Sequence, residues 1–150
     1  MREMLSIDAN LLLYAYNEDS PRHELALTFL TELGVRDDVA ISELVLTEFY
    51  TLLRNPAVLT KPLPPAEAVR VVQQYRHHPK WALLGFGPDG AELHNELWPL
   101  AKRADFGRRR ICDARTALSL RRQGVIEFAT ANVSDFRGFG FKRVWNPLDK

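Results

Sequence analysis

The stretch Met4-Leu5-Ser6-Ile7-Asp8 is an apolar run that ends in an acid. Leu5 to Ile7 have the composition of a buried strand, and Asn10 to Tyr16, which come next, predict a helix. A strand that leads at once into a helix is typical of a parallel α/β sheet. Ligands of such sheets collect beyond the carboxyl ends of the strands, and Asp8 would stand at that rim.

The rest of the chain repeats this alternation of strands and helices. Ser20 and Pro21 predict the cap and first position of a second helix, which ends before Gly34. Strands are predicted at Val39 to Ser42, Trp81 to Leu84, Glu127 to Thr130 and Arg143 to Trp145, and helices from Ser42 or Glu43 to Leu53, Ala66 to Tyr75, Ala91 to Lys102 and Ile111 to Gln123. This order predicts a three-layer α/β/α sandwich with a central parallel sheet, and residues 1–150 are expected to form a single domain.

The composition suits one ordinary hydrophobic core, since 46% of the 150 residues are hydrophobic. The apolar runs are short, and the N-terminus lacks the pattern of a signal peptide, so we expect a cytoplasmic protein without a membrane segment. A single cysteine, Cys112, excludes an internal disulfide and a cysteine metal site, which fits a reducing compartment.

The charge is unevenly distributed, although the net charge is only +1. Asp113 shares an inward helical stripe with Ala117, whereas Arg115, Ser119 and Arg122 occupy another face of the same predicted helix. This basic row could bind phosphates or could be a solvated helix face. Eight basic residues lie in this region: Lys102, Arg103, Arg108, Arg109, Arg110, Arg115, Arg121 and Arg122.

Three further acids are placed where a parallel sheet would bring them close to Asp8. Glu48 and Asp113 lie early in predicted helices, and Asp135 follows the strand that ends near Thr130. Converging carboxylates without a basic partner indicate a hard cation such as Mg²⁺ or Mn²⁺. We therefore predict a metal-dependent hydrolase, in which a divalent ion orients a phosphodiester and activates a water.

Each acid also has a simpler explanation. Asp8 could cap the following helix, and Asp135 could form an Asx turn. Glu48 has apolar helical neighbours such as Leu44 and Leu52, so it is expected to project inward, where either a buried arginine or a metal must compensate its charge. The four acids together favour the metal site.

Sequence motifs of several other enzyme classes are missing. The chain contains no G-x-x-x-x-G-K-[ST] loop, G-x-G-x-x-G turn, G-x-S-x-G elbow or H-E-x-x-H helix. Adjacent histidines such as His77 and His78 point in different directions on a helix, so histidine ligation is not favoured.

Four motifs and a closing segment resemble the PIN-domain ribonucleases, and within them the VapC-type toxins of bacterial toxin–antitoxin pairs. The resemblance spans essentially the whole chain, and it lies in the order and separation of the motifs. They are Ile7-Asp8-Ala9-Asn10, Leu46-Thr47-Glu48-Phe49, Ile111-Cys112-Asp113-Ala114 and Thr130-Ala131-Asn132-Val133-Ser134-Asp135-Phe136, followed by Trp145-Asn146-Pro147-Leu148.

The resemblance implies a Mg²⁺- or Mn²⁺-dependent endoribonuclease that forms a homodimer and is inhibited by a cognate antitoxin protein. By the same resemblance, Asp8, Glu48 and Asp113 are the main catalytic and metal-binding acids, and Asp135 is the more variable fourth. Polar support is implied for Asn10, Thr130 and Asn132, and RNA phosphates are expected to contact Arg115 and Arg122. An antitoxin helix is expected on the apolar helices that carry Leu12, Tyr14, Tyr16, Phe49, Tyr50 and Leu53, unless these residues lie in the core or at the homodimer interface.

Three other functions are compared with the same residues. A haloacid-dehalogenase-like phosphatase needs a second aspartate two positions after Asp8, where this chain has Asn10. A receiver-like phosphoacceptor does not explain Asp135 with its neighbour Asn132. A PIN-like module that binds RNA or protein without catalysis is the remaining alternative, and the presence of all four acids argues against it.

Overall fold

The structure, a computed structural model, describes residues 2–149 of the chain. Five strands form one parallel sheet: β1 (Met4–Ile7), β2 (Val39–Ser42), β3 (Ala82–Leu84), β4 (Val125–Ala129) and β5 (Arg143–Trp145). Their order in the sheet is β3-β2-β1-β4-β5, so β1 and β4 are neighbours although most of the chain separates them. The predicted parallel sheet is therefore confirmed.

Seven helices surround the sheet. They are α1 (Ala9–Tyr16), α2 (His23–Leu33), α3 (Glu43–Leu53), α4 (Pro65–Arg76), α5 (Gly90–Ala101), α6 (Arg110–Arg122) and the short α7 (Val133–Phe136). Six of them agree with the predicted helices apart from small shifts at their ends, whereas α7 was not predicted as a helix. No helix among residues 2–149 is both long and apolar enough to span a membrane.

Alternating side chains of the strands give the sheet two apolar faces. Leu5, Ile7 and Ile41 belong to a buried cluster with residues of α1, α2 and α3, while Phe128 packs with Leu120 of α6 in a second cluster. The helices therefore lie on both faces of the sheet, which confirms the α/β/α sandwich. Helix α5 packs against α6, and the two helices share a third cluster that includes Leu93 and Leu118.

The start of α2 differs from the prediction. Ser20 and Pro21 were expected to open the helix, but it begins at His23. The reason is local: the Ser20 hydroxyl accepts a hydrogen bond from the backbone N–H of Arg22 at 3.1 Å, and the Ser20 carbonyl accepts from the N–H of His23. The Ser20 side chain thus closes a turn before the helix instead of capping it.

Candidate active site

The site begins at the junction of the two central strands. The chain leaves β1 toward β2 on one side, whereas β4 pairs with β1 on the other, so the strand order reverses at β1. Asp8 follows the last residue of β1, and its backbone N–H donates to the carbonyl of Ala129 at the end of β4 at 2.9 Å. Such a junction leaves a crevice beyond the carboxyl ends of the strands, where ligands of open α/β sheets bind.

Asp8 is a buried carboxylate whose two oxygens have different partners. Oδ1 accepts from the backbone N–H of Ala9 at 2.8 Å, and Oδ2 accepts from the Thr130 hydroxyl at 2.7 Å. Asp8 therefore does cap α1, as the simpler explanation held, but it uses only one oxygen to do so. Only 6% of the residue is exposed, and burial raises the pKa of Asp8 even though these two hydrogen bonds lower it.

Thr130 connects Asp8 to two other predicted site residues. Its hydroxyl accepts from the backbone N–H of Asn132 at 3.0 Å and lies 3.5 Å from the Asn10 side-chain nitrogen. The Asn10 side-chain oxygen in turn accepts from the N–H of Ala131 at 3.3 Å. The segment after β4 is thus tied to the start of α1, and the network fixes the orientation of the Asp8 carboxylate.

Glu48 reaches the crevice from α3 but does not lie where its apolar neighbours predicted. Glu48 is exposed, so the expectation of a buried inward side chain is wrong. Among residues 2–149 its carboxylate also has no arginine partner. The apolar face of α3 is instead carried by Val45, Phe49 and Leu53, and Glu48 stands beside this face, on the wall of the crevice. Although Glu48 is exposed as a whole residue, the groove wall partly desolvates its carboxylate, and this desolvation, together with the charges of Asp8 and Asp113, raises its pKa to about 7.

Asp113 and Asp135 complete the set from the opposite wall. Asp113 lies in the first turn of α6, Asp135 lies in α7, and both are half-buried. Burial, and then the charges of Asp8 and Asp135, raise the pKa of Asp113 to about 6, while the nearby Arg110 lowers it. The structure therefore brings all four predicted acids to one rim of the sheet. The charge of Asp8 raises the pKa of both Glu48 and Asp113, and the charge of Asp113 raises the pKa of Glu48.

Three of the acids, Glu48, Asp113 and Asp135, line a groove of about 590 Å³ between α3 and α6. Arg109 and Arg115 are on its wall, and the Arg115 guanidinium lies 5.5 Å from the ring centre of Phe86. Cys112 is exposed in the same groove. The residues around this groove are Leu44, Thr47, Glu48, Thr51, Arg109, Cys112, Asp113, Arg115, Thr116, Asn132 and Asp135.

The predicted basic row on α6 is divided by the structure. Arg122 does not line the groove, because its guanidinium donates to Asp89 at 2.7 Å and to Glu96 at 3.2 Å, and so joins α6 to α5. Ser119 is fully buried and donates to the carbonyl of Gly85 at 3.3 Å. The expectation that Arg122 and Ser119 face outward beside Arg115 is therefore corrected.

Two further arginines lie close to the acids. Arg109 and Arg110 occur in the basic run, but neither was singled out as a site residue. Arg110 lies three residues before Asp113, a spacing that puts both on one face of a helix, and this spacing was the available signal. Its guanidinium donates to the backbone carbonyl of Asp135 at 3.2 Å.

The donor set fits a hard divalent cation bound partly through water. All four donors are carboxylates, and among residues 2–149 none of their side chains pairs with a basic group. Within the same residues, no three acid, histidine or cysteine side chains are close enough to hold an ion directly. Mg²⁺ commonly keeps several waters and binds through one or two carboxylates, so it does not need three side chains within direct reach.

Comparison with known proteins identifies the family. The model of the PIN domain matches residues 5–133, which include all of β1 except Met4, strands β2 to β4, and the acids Asp8, Glu48 and Asp113. The chain belongs to the PIN-domain family. Asp135 lies two residues beyond the matched segment.

The relatives of this PIN domain include ribonucleases. Ribonuclease VapC24 of two Mycobacterium tuberculosis strains is 53% identical over 145 residues, which cover 97% of both chains. The solved DNA-bound VapBC of Salmonella typhimurium has a TM-score of 0.66 at 16% identity, over 97% of this chain and 98% of that one. VapC20 of Mycobacterium tuberculosis, described as a sarcin-ricin loop cleaving toxin, has a TM-score of 0.61 at 19% identity, over 83% and 86% of the two chains.

Proposed function

We propose that the protein is a divalent-metal-dependent endoribonuclease and the toxin of a toxin–antitoxin pair. The observation that carries the proposal is the convergence of Asp8, Glu48, Asp113 and Asp135 at the sheet rim without a basic partner for their side chains among residues 2–149. Membership of the PIN-domain family and the likeness to VapC24 ribonuclease support RNA as the substrate.

The four acids would hold Mg²⁺ or Mn²⁺, with Asp8 as the most rigid donor. Thr130 and the N–H of Ala9 fix the Asp8 carboxylate, so it needs little reorganisation when an ion arrives. The bound ion would activate a water and offset the charge of the phosphodiester. Arg109 and Arg115 on the groove wall would hold the RNA strand through its phosphates, and Asn132 would act as a polar contact beside Asp135.

The protonation of Glu48 and Asp113 should be coupled to metal binding. With pKa values raised to about 7 for Glu48 and about 6 for Asp113, the metal-free site keeps part of its carboxyl groups protonated at neutral pH. A cation would release these protons as it binds, because carboxylate ligands must be ionised.

The test is cleavage of RNA by purified protein with Mg²⁺, with Mn²⁺ and with chelator. We expect Asp8→Ala and Asp113→Ala each to reduce cleavage by at least about 10³-fold while the circular dichroism spectrum is kept, since charge stabilisation at the reacting phosphate is lost. Asp37→Ala is the matched control, because Asp37 is an exposed acid that contacts Arg2, away from the groove. Cleavage that persists in both Asp8→Ala and Asp113→Ala, or in chelator, would contradict the proposed site.

The second part of the proposal is an antitoxin protein that covers an apolar surface of the domain. The surface suggested by the sequence needs correction, because Leu12, Phe49 and Leu53 are fully buried in the core. Tyr50 is only partly buried, and it lines an apolar groove of about 240 Å³ between α3 and α4 together with Val69. Val69 is 45% exposed, which makes this groove the better position for an antitoxin helix.

Coexpression with a small antitoxin protein from the neighbouring reading frame tests this part. We expect a stable complex that blocks cleavage and relieves toxicity, and we expect Val69→Glu to weaken the complex because a charge would enter its apolar interface. Glu67→Ala on the same helix is the control. Light scattering of the toxin alone tests the proposed homodimer. Recovery of no complex, with full toxicity, would contradict the antitoxin and leave the nuclease in place.

A PIN-like module that binds RNA without cleaving it is the alternative function. Arg109 and Arg115 on the groove wall would bind RNA in either case, so only the acids distinguish the two functions. Such a module would bind RNA equally well with and without chelator, and the intact strand would be recovered after incubation with Mg²⁺.

A further inference from the structure

A second pocket lies beside the acidic groove, at the N-terminal end of α6. It has a volume of about 190 Å³ and is separate from the groove described above. Three arginines and one aspartate line it, which gives it a net charge of +2. Its lining residues are Leu100, Arg103, Asp105, Phe106, Arg110, Arg137, Gly138 and Phe139.

Arg110 forms the wall between this pocket and the acids. It lies one helical turn before Asp113, which corresponds to a rise of about 4.5 Å along the helix. Its Nη2 donates to the backbone carbonyl of Asp135, and its positive charge lowers the pKa of Asp113. The pocket is therefore adjacent to the position proposed for the cleaved phosphodiester.

The Arg110 side chain is held in a fixed orientation by two aromatic rings. The guanidinium carbon lies 5.5 Å from the ring centres of both Phe106 and Phe139. Its Nε is buried and finds no hydrogen-bond partner among residues 2–149. A guanidinium has five N–H donors, so most of the donors of Arg110 are not used by the contact to Asp135.

The other two arginines are exposed and weakly engaged. Arg103 has an ion pair with Asp105 at 3.5 Å, in which both side chains are more than half exposed, at 62% and 76%. Arg137 is exposed and has neither an ion pair nor a side-chain hydrogen bond within the described part of the chain. Exposed pairs of this kind contribute little energy, so both guanidinium groups are available to an anion.

We propose that this pocket binds a backbone phosphate of the RNA strand next to the cleaved one, through Arg103, Arg110 and Arg137. The inference rests on the proposed function. An RNA strand carries a phosphate at every nucleotide, so a strand whose cleaved phosphate lies at the acids must place a neighbouring phosphate close by. Arginine is suited to that contact, because its planar fork binds phosphate through two hydrogen bonds.

The test is binding of fluorescein-labelled single-stranded RNA, about 12 nucleotides long, to the full chain in chelator, measured by anisotropy over a salt series. We expect the double variant Arg103→Ala/Arg137→Ala to bind more weakly at low salt for all sequences. The slope of log affinity against log salt should become shallower by about 0.7, which corresponds to one lost phosphate contact on a single strand. The lysine version, Arg103→Lys/Arg137→Lys, should keep most of the wild-type slope, because the charges remain.

Arg2→Ala is the matched control. Arg2 is an arginine with a side chain 58% exposed, and it precedes β1 at the opposite rim of the sheet, so it reports only the effect of net charge. The inference would be overturned if the slope of the double variant changed by no more than twice the change seen for Arg2→Ala. An oligoglutamate peptide is the second probe: if the double variant loses this peptide but keeps the RNA slope, the pocket serves an acidic protein and the inference is also overturned.

Cleavage by the unchanged protein separates the two proposals. If the slope falls in the double variant but the wild-type protein does not cleave RNA with Mg²⁺ or Mn²⁺, the pocket stands and the nuclease assignment fails. If the wild-type protein cleaves RNA and the slope is unchanged in the double variant, the nuclease assignment stands and the pocket fails.

Discussion

Thr130 shows how one hydroxyl group can position a functional carboxylate. It is fully buried, it donates to Asp8, and it accepts from the backbone of Asn132. Since a hydroxyl both donates and accepts, no apolar side chain of the same shape can replace these contacts. We therefore propose that Thr130 positions Asp8.

We expect Thr130→Val to lower cleavage by about 10- to 100-fold, as is typical when the partner of a metal ligand is lost. The variant should also require more Mg²⁺ for half-maximal activity, a change that simple loss of stability would not produce. Unfolding free energy should fall by about 1 kcal/mol, because the hydrogen bonds of a buried group are lost. Thr130→Ser keeps the hydroxyl and should restore most of the metal dependence. Equal behaviour of the two variants in a Mg²⁺ titration would argue against positioning.

At the scale of the element, α6 has two different tasks along its length. Its first turns carry Asp113 and Arg115 to the groove, whereas Arg122 near its end joins it to α5 through Asp89 and Glu96. Gly124 follows the helix with a φ of 95°, a conformation that favours glycine, and turns the chain into β4. Function and stability should therefore separate along this helix.

We expect Arg122→Ala to lower the melting temperature, since it removes the ion pairs with Asp89 and Glu96, and to leave the salt dependence of RNA binding unchanged. Arg115→Ala should do the reverse, with a salt slope shallower by about 0.7 and a nearly unchanged melting temperature. Thermal melting and anisotropy on both variants check this. If Arg122→Ala made the salt slope shallower than Arg2→Ala does, this would show that the ion pairs of Arg122 open when RNA binds.

The sequence predicted the elements well where apolar periodicity and chain breaks agree. All five strands and six helices were located, because runs such as Val39 to Ser42 are bounded by polar residues or glycine. The prediction was less accurate where side chains compete for backbone groups, as at Ser20 before α2, and for α7, which has only four residues and too few apolar positions to form a pattern.

It was harder to predict how exposed each site residue is than to predict which residues belong to the site. The four acids could be found because strand ends and early helix positions converge on one rim in a parallel sheet. The exposed position of Glu48 and the ion pairs of Arg122 could not be found, because both depend on contacts with elements distant in the chain. The pocket around Arg110 joins residues before α6 to residues after α7, and no local spacing reveals it.

At the scale of the whole molecule, the acidic groove should make the metal-free protein less stable as pH rises. Asp113 has its pKa raised from 3.8 to about 6, and Glu48 from 4.5 to about 7, so the folded protein binds more protons than the unfolded chain in this range. A raised carboxyl pKa means that stability is fully present below the unfolded value and is lost as pH rises through the folded value.

We therefore expect the melting temperature in chelator to fall between about pH 4 and pH 8, and Mg²⁺ to restore it at the upper end. Asp113→Asn should melt about 2–4 °C above wild type at pH 8 without metal, for roughly 1 kcal/mol of relieved repulsion, and should gain less from Mg²⁺. Scanning fluorimetry over pH measures both effects, with Asp37→Asn as the control. A lower melting temperature for Asp113→Asn would indicate a structural carboxylate instead.

The hydrogen bond between Thr130 and Asp8 joins residues 122 positions apart in the chain. During synthesis on the ribosome, Asp8 is therefore made well before β4 and Thr130. Pairing of such distant parallel strands is also slow, because a long loop must close first. A nascent chain without β4 therefore lacks the hydrogen bond that orients Asp8, so we expect the proposed activity to reach its full level only after β4 has paired with β1.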